Sequence, residues 1–288
     1  MNKRIAMLAG ALMVVSLSST VVLALPPMGP PKAMVGQDQW TVGIGFSHGE
    51  MDLEARGKGQ EDPGSGTFGA VSLDEHDIEN LTTNTILASL GFGVSDTWDV
   101  FVCVGGADAE DDITEKLPGG TVGNQYKGFD SSYEFCYGLG SRTTFWEDGD
   151  VTWGGLFQMV WQNPDGDVEL TPSSGSFVGS NTLSGNAELD YWEIQIAVGP
   201  TFEGDNFRVY GGPFLHLIDG DIDIDATGVD DVPSTWRVKS SGDISESSQF
   251  GGYAGAQWLA AENTTANIEV QFTSDAWAVG IGAIWKFE

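Results

Sequence analysis

The chain has 288 residues and carries 42 Asp and Glu against 12 Lys and Arg, which gives a formal net charge of −30 at pH 7. Such a charge repels phosphates and anionic surfaces, and it excludes nucleic-acid binding as the function. The 41% apolar and 11% aromatic content argues against disorder. The length suits one large all-β domain.

The first 24 residues have the pattern of a secretory signal peptide. Lys3 and Arg4 precede an apolar run, and the small residue Ala24 closes a cleavage site. We therefore predict removal of residues 1–24, which leaves 10 basic against 42 acidic residues; an uncleaved membrane anchor is the alternative. Residues 25–39 are Pro-rich and predict an ordered or extended lead-in.

From residue 40 onward, apolar and polar residues alternate with a period of two. Trp40, Val42 and Ile44 share one face, and Thr41 and Gly43 share the other. The large residues gather on one face, while Gly, Thr, Ser and Gln occupy the opposite face. This pattern predicts a single antiparallel up-and-down transmembrane β-barrel over residues 40–288, with about ten strands; eight or twelve are possible.

The connections between these strands alternate in length. Tight polar turns separate four long segments, residues 50–77, 105–132, 163–190 and 218–246, which carry 27 of the 42 acidic residues. Short turns at one end and long loops at the other are typical of transmembrane barrels, so we predict long acidic outer loops.

The densest acidic stretch lies in the last of these segments. If extended, it places Ile222 and Ile224 on one face and four carboxylates on the other. A solvated acidic surface is the main interpretation, and a weak divalent site is the alternative because hard cations such as Ca²⁺ bind several oxygen ligands. No other cofactor is predicted. The candidate ligands are Asp219, Asp221, Asp223 and Asp225.

The residues predicted to point into the lumen include charges of both signs. Because unpaired charges in a narrow lumen are costly, we expect ion pairs and hydrogen-bonded networks there. A closed, salt-bridged lumen is the main hypothesis, and a narrow pore that prefers cations is the alternative. The inward charges are Glu134, Arg142, Glu193, Arg208, Glu269 and Lys286.

Two further features concern reactive side chains. Cys103 and Cys136 share the inward parity on neighbouring strands, so they could form a disulfide or remain separate thiols. His216 is the best candidate for a general base, beside Asp219 and Asp221. The three His share no zinc-ligand spacing. Residues 45–49 match the G-x-S-x-G nucleophile pattern, but they lie on an alternating strand with no helix after it, which that motif requires. We therefore predict no enzyme and keep a surface hydrolase as a third hypothesis.

The C-terminal strand resembles the assembly signal of Gram-negative outer-membrane β-barrels. That signal is a glycine, two residues, an aromatic residue, one further residue and a terminal aromatic residue. The glycine and the two aromatic places are filled by Gly282, Trp285 and Phe287, and Glu288 lies one residue beyond the usual end. The resemblance implies an outer-membrane location, contact with outer-membrane lipid and recognition by the barrel-assembly machinery. The function that follows is a non-enzymatic envelope structural or surface-contact protein.

Overall fold

A computed structural model describes residues 26–71, 75–117, 120–171, 183–229, 235–246 and 248–287; the predicted signal peptide lies outside these ranges. In the part of the chain so described, no helix is long and apolar enough to cross a membrane. The regular structure there consists of β1 (Trp40–Asp62), β2 (Gly69–Val71), β3 (Glu75–Ser95), β4 (Trp98–Leu117), β5 (Thr121–Ser131), β6 (Glu134–Asp148), β7 (Val151–Gln162), β8 (Asp165–Thr171), β9 (Leu183–Glu203), β10 (Phe207–Val229), β11 (Thr235–Glu246), β12 (Phe250–Ala261), β13 (Thr264–Phe272) and β14 (Ala276–Phe287).

Ten of these strands close into an antiparallel ring. The order is β1, β3, β4, β6, β7, β9, β10, β12, β13, β14 and back to β1. Closure pairs Trp40 with Phe287 and Met51 with Ala276. We call this ring the belt barrel. The sequence-based expectation of about ten strands agrees with this ring, whereas the described chain contains fourteen strands in all.

A second, narrower ring continues above the belt barrel. Here β1, β3, β4, β5, β8, β9, β10 and β11 close on one another, because β11 pairs directly with β1. The β13–β14 hairpin drops out, since it turns tightly where the Thr273 amide donates to the Ala276 carbonyl at 2.7 Å. We call this eight-stranded part the projecting barrel.

The two barrels have opposite chemistry on the same strands. In the belt barrel, Val42 and Ile44 of β1 face outward and are exposed, while Thr41 faces inward and is buried. Farther along β1, Leu53 faces inward and is fully buried, while Glu54 faces outward. The strand keeps its alternation, but the apolar face changes from the outside to the inside.

The four segments predicted as long loops are therefore largely β-strand, which corrects that part of the prediction. β1 continues to Asp62 and β10 to Val229, and β5, β8 and β11 lie in the other segments. The physical reason is that Leu53, Ile222 and similar residues fill an interior instead of facing lipid. Acidic residues alternate with them on the outer face, so the segments resemble loops in composition.

The projecting barrel has a closely packed apolar interior. A ring of eight strands is just wide enough for side chains to fill it. This core holds Met51, Leu53, Ala55, Ile78, Leu81, Ala109, Ile113, Tyr126, Phe129, Val168, Leu170, Leu183, Ala187, Leu189, Tyr191, Ile218, Ile222, Ile224, Ala226, Trp236, Val238 and Ile244.

Candidate functional site

The lumen of the belt barrel is occupied by the chain's own lead-in. Residues 26–39, here called the lumen segment, run from the short-turn end, where the Asp38 amide donates to the Gly93 carbonyl, up to Pro26 in the middle of the barrel. Two wall glycines make room for it. A Cβ atom at Gly93 would lie 1.9 Å from the Gly36 carbonyl oxygen, and one at Gly154 would lie 2.0 Å from that of Pro31.

Glu269 of β13 anchors the upper part of the lumen segment. Its two carboxylate oxygens each accept a backbone N–H, from Met28 and from Gly29, both at 2.8 Å. The side-chain amide of Gln271 donates to the same carboxylate at 2.8 Å. Glu269 is 1% exposed. Three donors on one buried carboxylate fix both the position and the direction of the segment.

The lower part of the lumen segment has its own charged anchors. Asp99 accepts the backbone N–H groups of Met34 and Val35, at 2.5 and 3.2 Å. Lys32 forms an ion pair with Glu203 at 2.5 Å, and Glu203 also pairs with Arg208 at 2.5 Å. The segment is therefore bound along its length by wall side chains from several strands.

A polar layer lies directly above the lumen segment. The Pro26 carbonyl accepts side-chain amide hydrogens from Gln271 at 3.0 Å and from Gln158 at 3.5 Å. Gln195 links both of these amides, and it donates to Glu193 at 3.0 Å. The layer thus connects the end of the segment to a second buried carboxylate.

The six inward charges predicted from the sequence do not form one network. Arg142 donates to the Met28 carbonyl at 3.1 Å and lies 3.9 Å from Asp99, while Arg208 pairs with Glu203. Lys286 is half-buried on the inward face of β14. Glu134 is half-buried on the inward face of β6. Among the described residues, no ion pair joins two members of the set Glu134, Arg142, Glu193, Arg208, Glu269 and Lys286.

His216 lies inside the barrel, which corrects its predicted pairing with Asp219 and Asp221. Its Nε2 atom lies 3.4 Å from the Glu193 carboxylate, and both side chains are 1% exposed. Asp219 and Asp221 have the opposite parity on β10 and face outward. Because alternate residues on a strand point to opposite faces, sequence proximity placed His216 with the wrong carboxylates.

A small cavity remains beside the lumen segment. Its volume is about 80 Å³, and Arg142, Gln158, Gln257 and Asn267 are among the residues that line it. These polar side chains, within an otherwise largely apolar lining, and the volume suit a few water molecules. The cavity is too small to serve as a conduit for solutes.

Cys103 and Cys136 are both buried and free, so the possible disulfide is not formed. The register explains this. Cys103 lies opposite Gly138, and Cys136 lies opposite Gly105, which makes the two cysteines diagonal neighbours. Diagonal positions are roughly 7–8 Å apart, whereas disulfides need Cα atoms within about 6.8 Å.

The acidic stretch on β10 has the two faces predicted for an extended strand. Ile222 and Ile224 enter the core of the projecting barrel, and the carboxylates face outward. Asp225 forms an ion pair with Lys239 at 2.5 Å. Within the described residues, no group of three or more His, Cys, Asp or Glu is arranged to hold a metal ion. The other three carboxylates on this face are Asp219, Asp221 and Asp223.

The sequence analysis missed a buried polar cluster in the projecting barrel. His76 Nε2 lies 2.8 Å from the Ser240 hydroxyl and 3.9 Å from Glu115, which accepts the Tyr126 hydroxyl hydrogen at 2.5 Å. Burial lowers the pKa of His76 to about 4 and raises the pKa of Glu115. The carboxylate and the hydroxyl approach the same ring nitrogen, so the group lacks the geometry of a catalytic triad. Inward parity on β3, β4 and β11 is the signal that could have identified it.

No protein-family model matches the chain, and no curated protein matches its sequence. Several solved structures are similar in shape. The outer membrane protease OmpT from Escherichia coli has 9% identity and a TM-score of 0.49, and the match covers 92% of this chain and 99% of that one. The Ralstonia pickettii toluene transporter TbuX has 12% identity, a TM-score of 0.39 and coverage of 90% and 91%. The translocator domain of the autotransporter NalP from Neisseria meningitidis has 10% identity, a TM-score of 0.39 and coverage of 88% and 90%.

These TM-scores lie below 0.5, so the fold is assigned from the molecule's own geometry. A closed ring of ten strands carries an exposed apolar belt, and Trp285 and Phe287 of the last strand contribute to it. Closed barrels satisfy every backbone hydrogen bond within the ring, which a membrane-spanning sheet requires. The chain has the architecture of the Gram-negative outer-membrane β-barrels.

Proposed function

We propose that the protein is a non-conducting, non-enzymatic outer-membrane barrel that holds a rigid acidic surface outside the cell, as an envelope structural or surface-contact protein. The observation that carries this proposal is that both barrels have a filled interior. The lumen segment fills the belt barrel, and the apolar core fills the projecting barrel.

The burial of two of the three histidines supports a non-enzymatic role. His216 and His76 are at most 1% exposed, and both are enclosed by the barrel wall. A general base must reach the proton that it removes from a substrate, and neither ring can be reached from solvent without opening a barrel. The burial of His216 thus favours the non-enzymatic proposal over a surface hydrolase built on this residue.

The outer face of the projecting barrel supports a contact role. It is built on strands and not on loops, and β1 continues from Met51, its last partner in the belt, to Asp62, which is about 11 residues and roughly 36 Å along the strand. Acidic side chains alternate along this face. A rigid, highly charged surface selects partners of opposite charge and repels anionic ones.

Outer-membrane lipid surrounds the belt in this proposal, and recognition by the barrel-assembly machinery uses Gly282, Trp285 and Phe287. Anionic headgroups next to the acidic face would repel it, so we propose that divalent cations such as Ca²⁺ bridge the two. Equilibrium dialysis against millimolar Ca²⁺ tests this. Absence of uptake, or equal uptake by a variant with Asp219, Asp221 and Asp223 changed to Asn, removes the hypothesis for this face.

Planar-bilayer conductance tests the closed interior. We expect the full-length barrel to give no single-channel steps, with a general porin as the positive control. A variant that lacks residues 26–39 is also expected to stay silent, because the core around Leu53 and Tyr191 still blocks the projecting barrel.

Two outcomes would contradict the proposal in different ways. Steady steps from the full-length protein would overturn the closed interior and favour the small cation-preferring pore. Steps only from the variant without residues 26–39 would show that the projecting barrel is not sealed and that the lumen segment is the plug of a channel.

A further inference from the structure

An open groove lies on the outer face of the projecting barrel, over the middle of β11. It has two parts, with volumes of about 470 and 450 Å³, which share Lys58, Ser241 and Asp223. Cross-strand pairing places Ser241 between Lys58 of β1 and Asp223 of β10, with Asp243 and Lys239 at either end of the floor. Because the serine side chain is small, the floor is low at this point, and each volume is in the range of ligand pockets.

The two walls of the groove have opposite charge. Arg56 and Lys58 form the wall on β1, and both side chains are exposed. Asp221 and Asp223 form the wall on β10 and are also exposed. Within the described ranges of the chain, none of these four side chains takes part in an ion pair. Both signs of charge therefore remain available to a ligand.

The wall charges have the spacing of side chains on an extended peptide. On each wall they lie two residues apart along a strand, which is roughly 6.7 Å, and β1 and β10 are separated by two strand spacings, roughly 9.6 Å. Alternate side chains of an extended chain point to opposite sides. A peptide that lies along β11 thus presents every second side chain to Arg56 and Lys58, and the others to Asp221 and Asp223.

We propose that this groove binds an extended segment of a partner protein in which acidic and basic residues alternate. Carboxylates of the segment face Arg56 and Lys58, and its ammonium or guanidinium groups face Asp221 and Asp223. A segment with blocks of like charge places some of its charges against the wrong wall, which is costly. This assignment names the kind of partner for the surface-contact role and therefore rests on the proposed function.

Fluorescence anisotropy with the full-length protein in detergent micelles tests the sequence pattern. The probe is a labelled peptide of alternating Glu and Lys, in low-salt buffer with a chelator so that divalent cations do not occupy the acidic wall. A peptide with the same composition, in which all Glu precede all Lys, is the control. We expect the alternating peptide to bind at least tenfold more tightly. Equal affinities, or no binding of either peptide, would overturn the proposal.

Two variants test the position of the site. Lys58→Glu reverses a charge in the centre of the β1 wall and is expected to weaken binding of the alternating peptide at least tenfold. Lys127→Glu makes the same charge change at an exposed position on β5 and should alter the affinity less than twofold. Ser241→Trp fills the floor without changing the charge, and it decides in the same way should Lys58→Glu fail to fold. Losses as large in Lys127→Glu, or unchanged binding in the groove variants, would contradict the assignment.

The bilayer measurement separates this proposal from the proposed function. A full-length barrel that gives no conductance steps and binds neither peptide lacks the peptide site but remains a non-conducting surface barrel. Steady conductance steps from a barrel that still prefers the alternating peptide would contradict the closed interior and leave the groove assignment standing.

Discussion

Replacing Glu269 by Ala should loosen the lumen segment without opening the barrel wall. The carboxylate accepts the N–H groups of Met28 and Gly29 at 2.8 Å each, and the substitution leaves both donors without that acceptor. A buried donor that loses its partner costs about 1–3 kcal/mol. Water from the neighbouring cavity offsets part of the loss, so we expect docking to weaken by about 2–4 kcal/mol.

Hydrogen–deuterium exchange measures this change directly. If the amides exchange through local undocking, a loss of 2–4 kcal/mol corresponds to roughly 30- to 1000-fold faster exchange at Met28 and Gly29, since 1.4 kcal/mol is about a factor of ten. Glu269→Gln keeps one acceptor oxygen, so its effect should be intermediate. Glu134→Ala, which removes an inward carboxylate of another strand, is the matched control.

Two results would refute the reasoning. An increase below about threefold in Glu269→Ala would mean that the carboxylate does not hold the segment. An equal increase in Glu134→Ala would mean that any lumen substitution loosens the segment, and the anchoring role would then have no support. Amides of the projecting barrel should keep their exchange rates in both variants, because the residues of its core come from strands other than β13 and β6.

Three further predictions concern the wall. Leu53→Ala should destabilise the projecting barrel by about 2–5 kcal/mol in denaturant unfolding; a loss below 1 kcal/mol would mean that its core is not close-packed. Ile196→Arg, on the exposed belt of β9, should cost about 2–4 kcal/mol in lipid vesicles, and a neutral result would place Ile196 outside the hydrocarbon. His76 is buried, and its pKa is lowered from 6.5 to about 4. Between pH 4 and pH 6.5, this side chain is therefore protonated in the unfolded chain and neutral in the folded one. Relative to His76→Asn, the wild type should therefore lose about 3 kcal/mol as the pH falls from 6.5 to 4, and parallel pH profiles would contradict this.

The sequence predicted the belt barrel because its physical signal is local. Residues such as Val42 and Ile44 alternate with Thr41 and Gly43, and a lipid-facing strand requires this pattern at every second position. The C-terminal strand added the aromatic residues Trp285 and Phe287. Alternation with a period of two is enough to predict that these segments are β-strands, which face points to lipid, and about how many strands form the ring. No knowledge of distant contacts is needed.

The projecting barrel was not predicted because the apolar face of each alternating strand was expected to point outward along its whole length. Met51 and Leu53 have the parity of Thr41, so an apolar residue at that parity looked like a break in the pattern. A strand that leaves the membrane must invert, since its outer face then meets water and its inner face meets other strands. This inversion of the apolar face within one alternating segment is the sequence signal that β1 and β10 continue beyond the membrane.

The lumen segment could not be predicted from its own residues. It has no periodicity, and its binding uses backbone N–H groups of Met28, Gly29 and Met34, which every sequence supplies. The acceptors Glu269 and Asp99 come from distant strands. The one indirect signal was the abundance of glycine on the inward face, which shows that backbone approaches the wall closely there.

The lumen segment and the β13–β14 hairpin are two consequences of the same geometry. A barrel's width grows with strand number, so the eight-stranded projecting barrel fills itself with side chains and the ten-stranded belt barrel does not. The belt therefore requires a filler, and the lead-in supplies one that the wall binds through Glu269, Asp99 and Glu203. Because the hairpin ends near Thr273, the wider ring ends at the same level. If the hairpin were extended to the tip, all ten strands would reach the acidic end and the apolar core would no longer span the interior. The length of the β13–β14 hairpin thus sets the level at which the filling of the interior changes from the lumen segment to the apolar core.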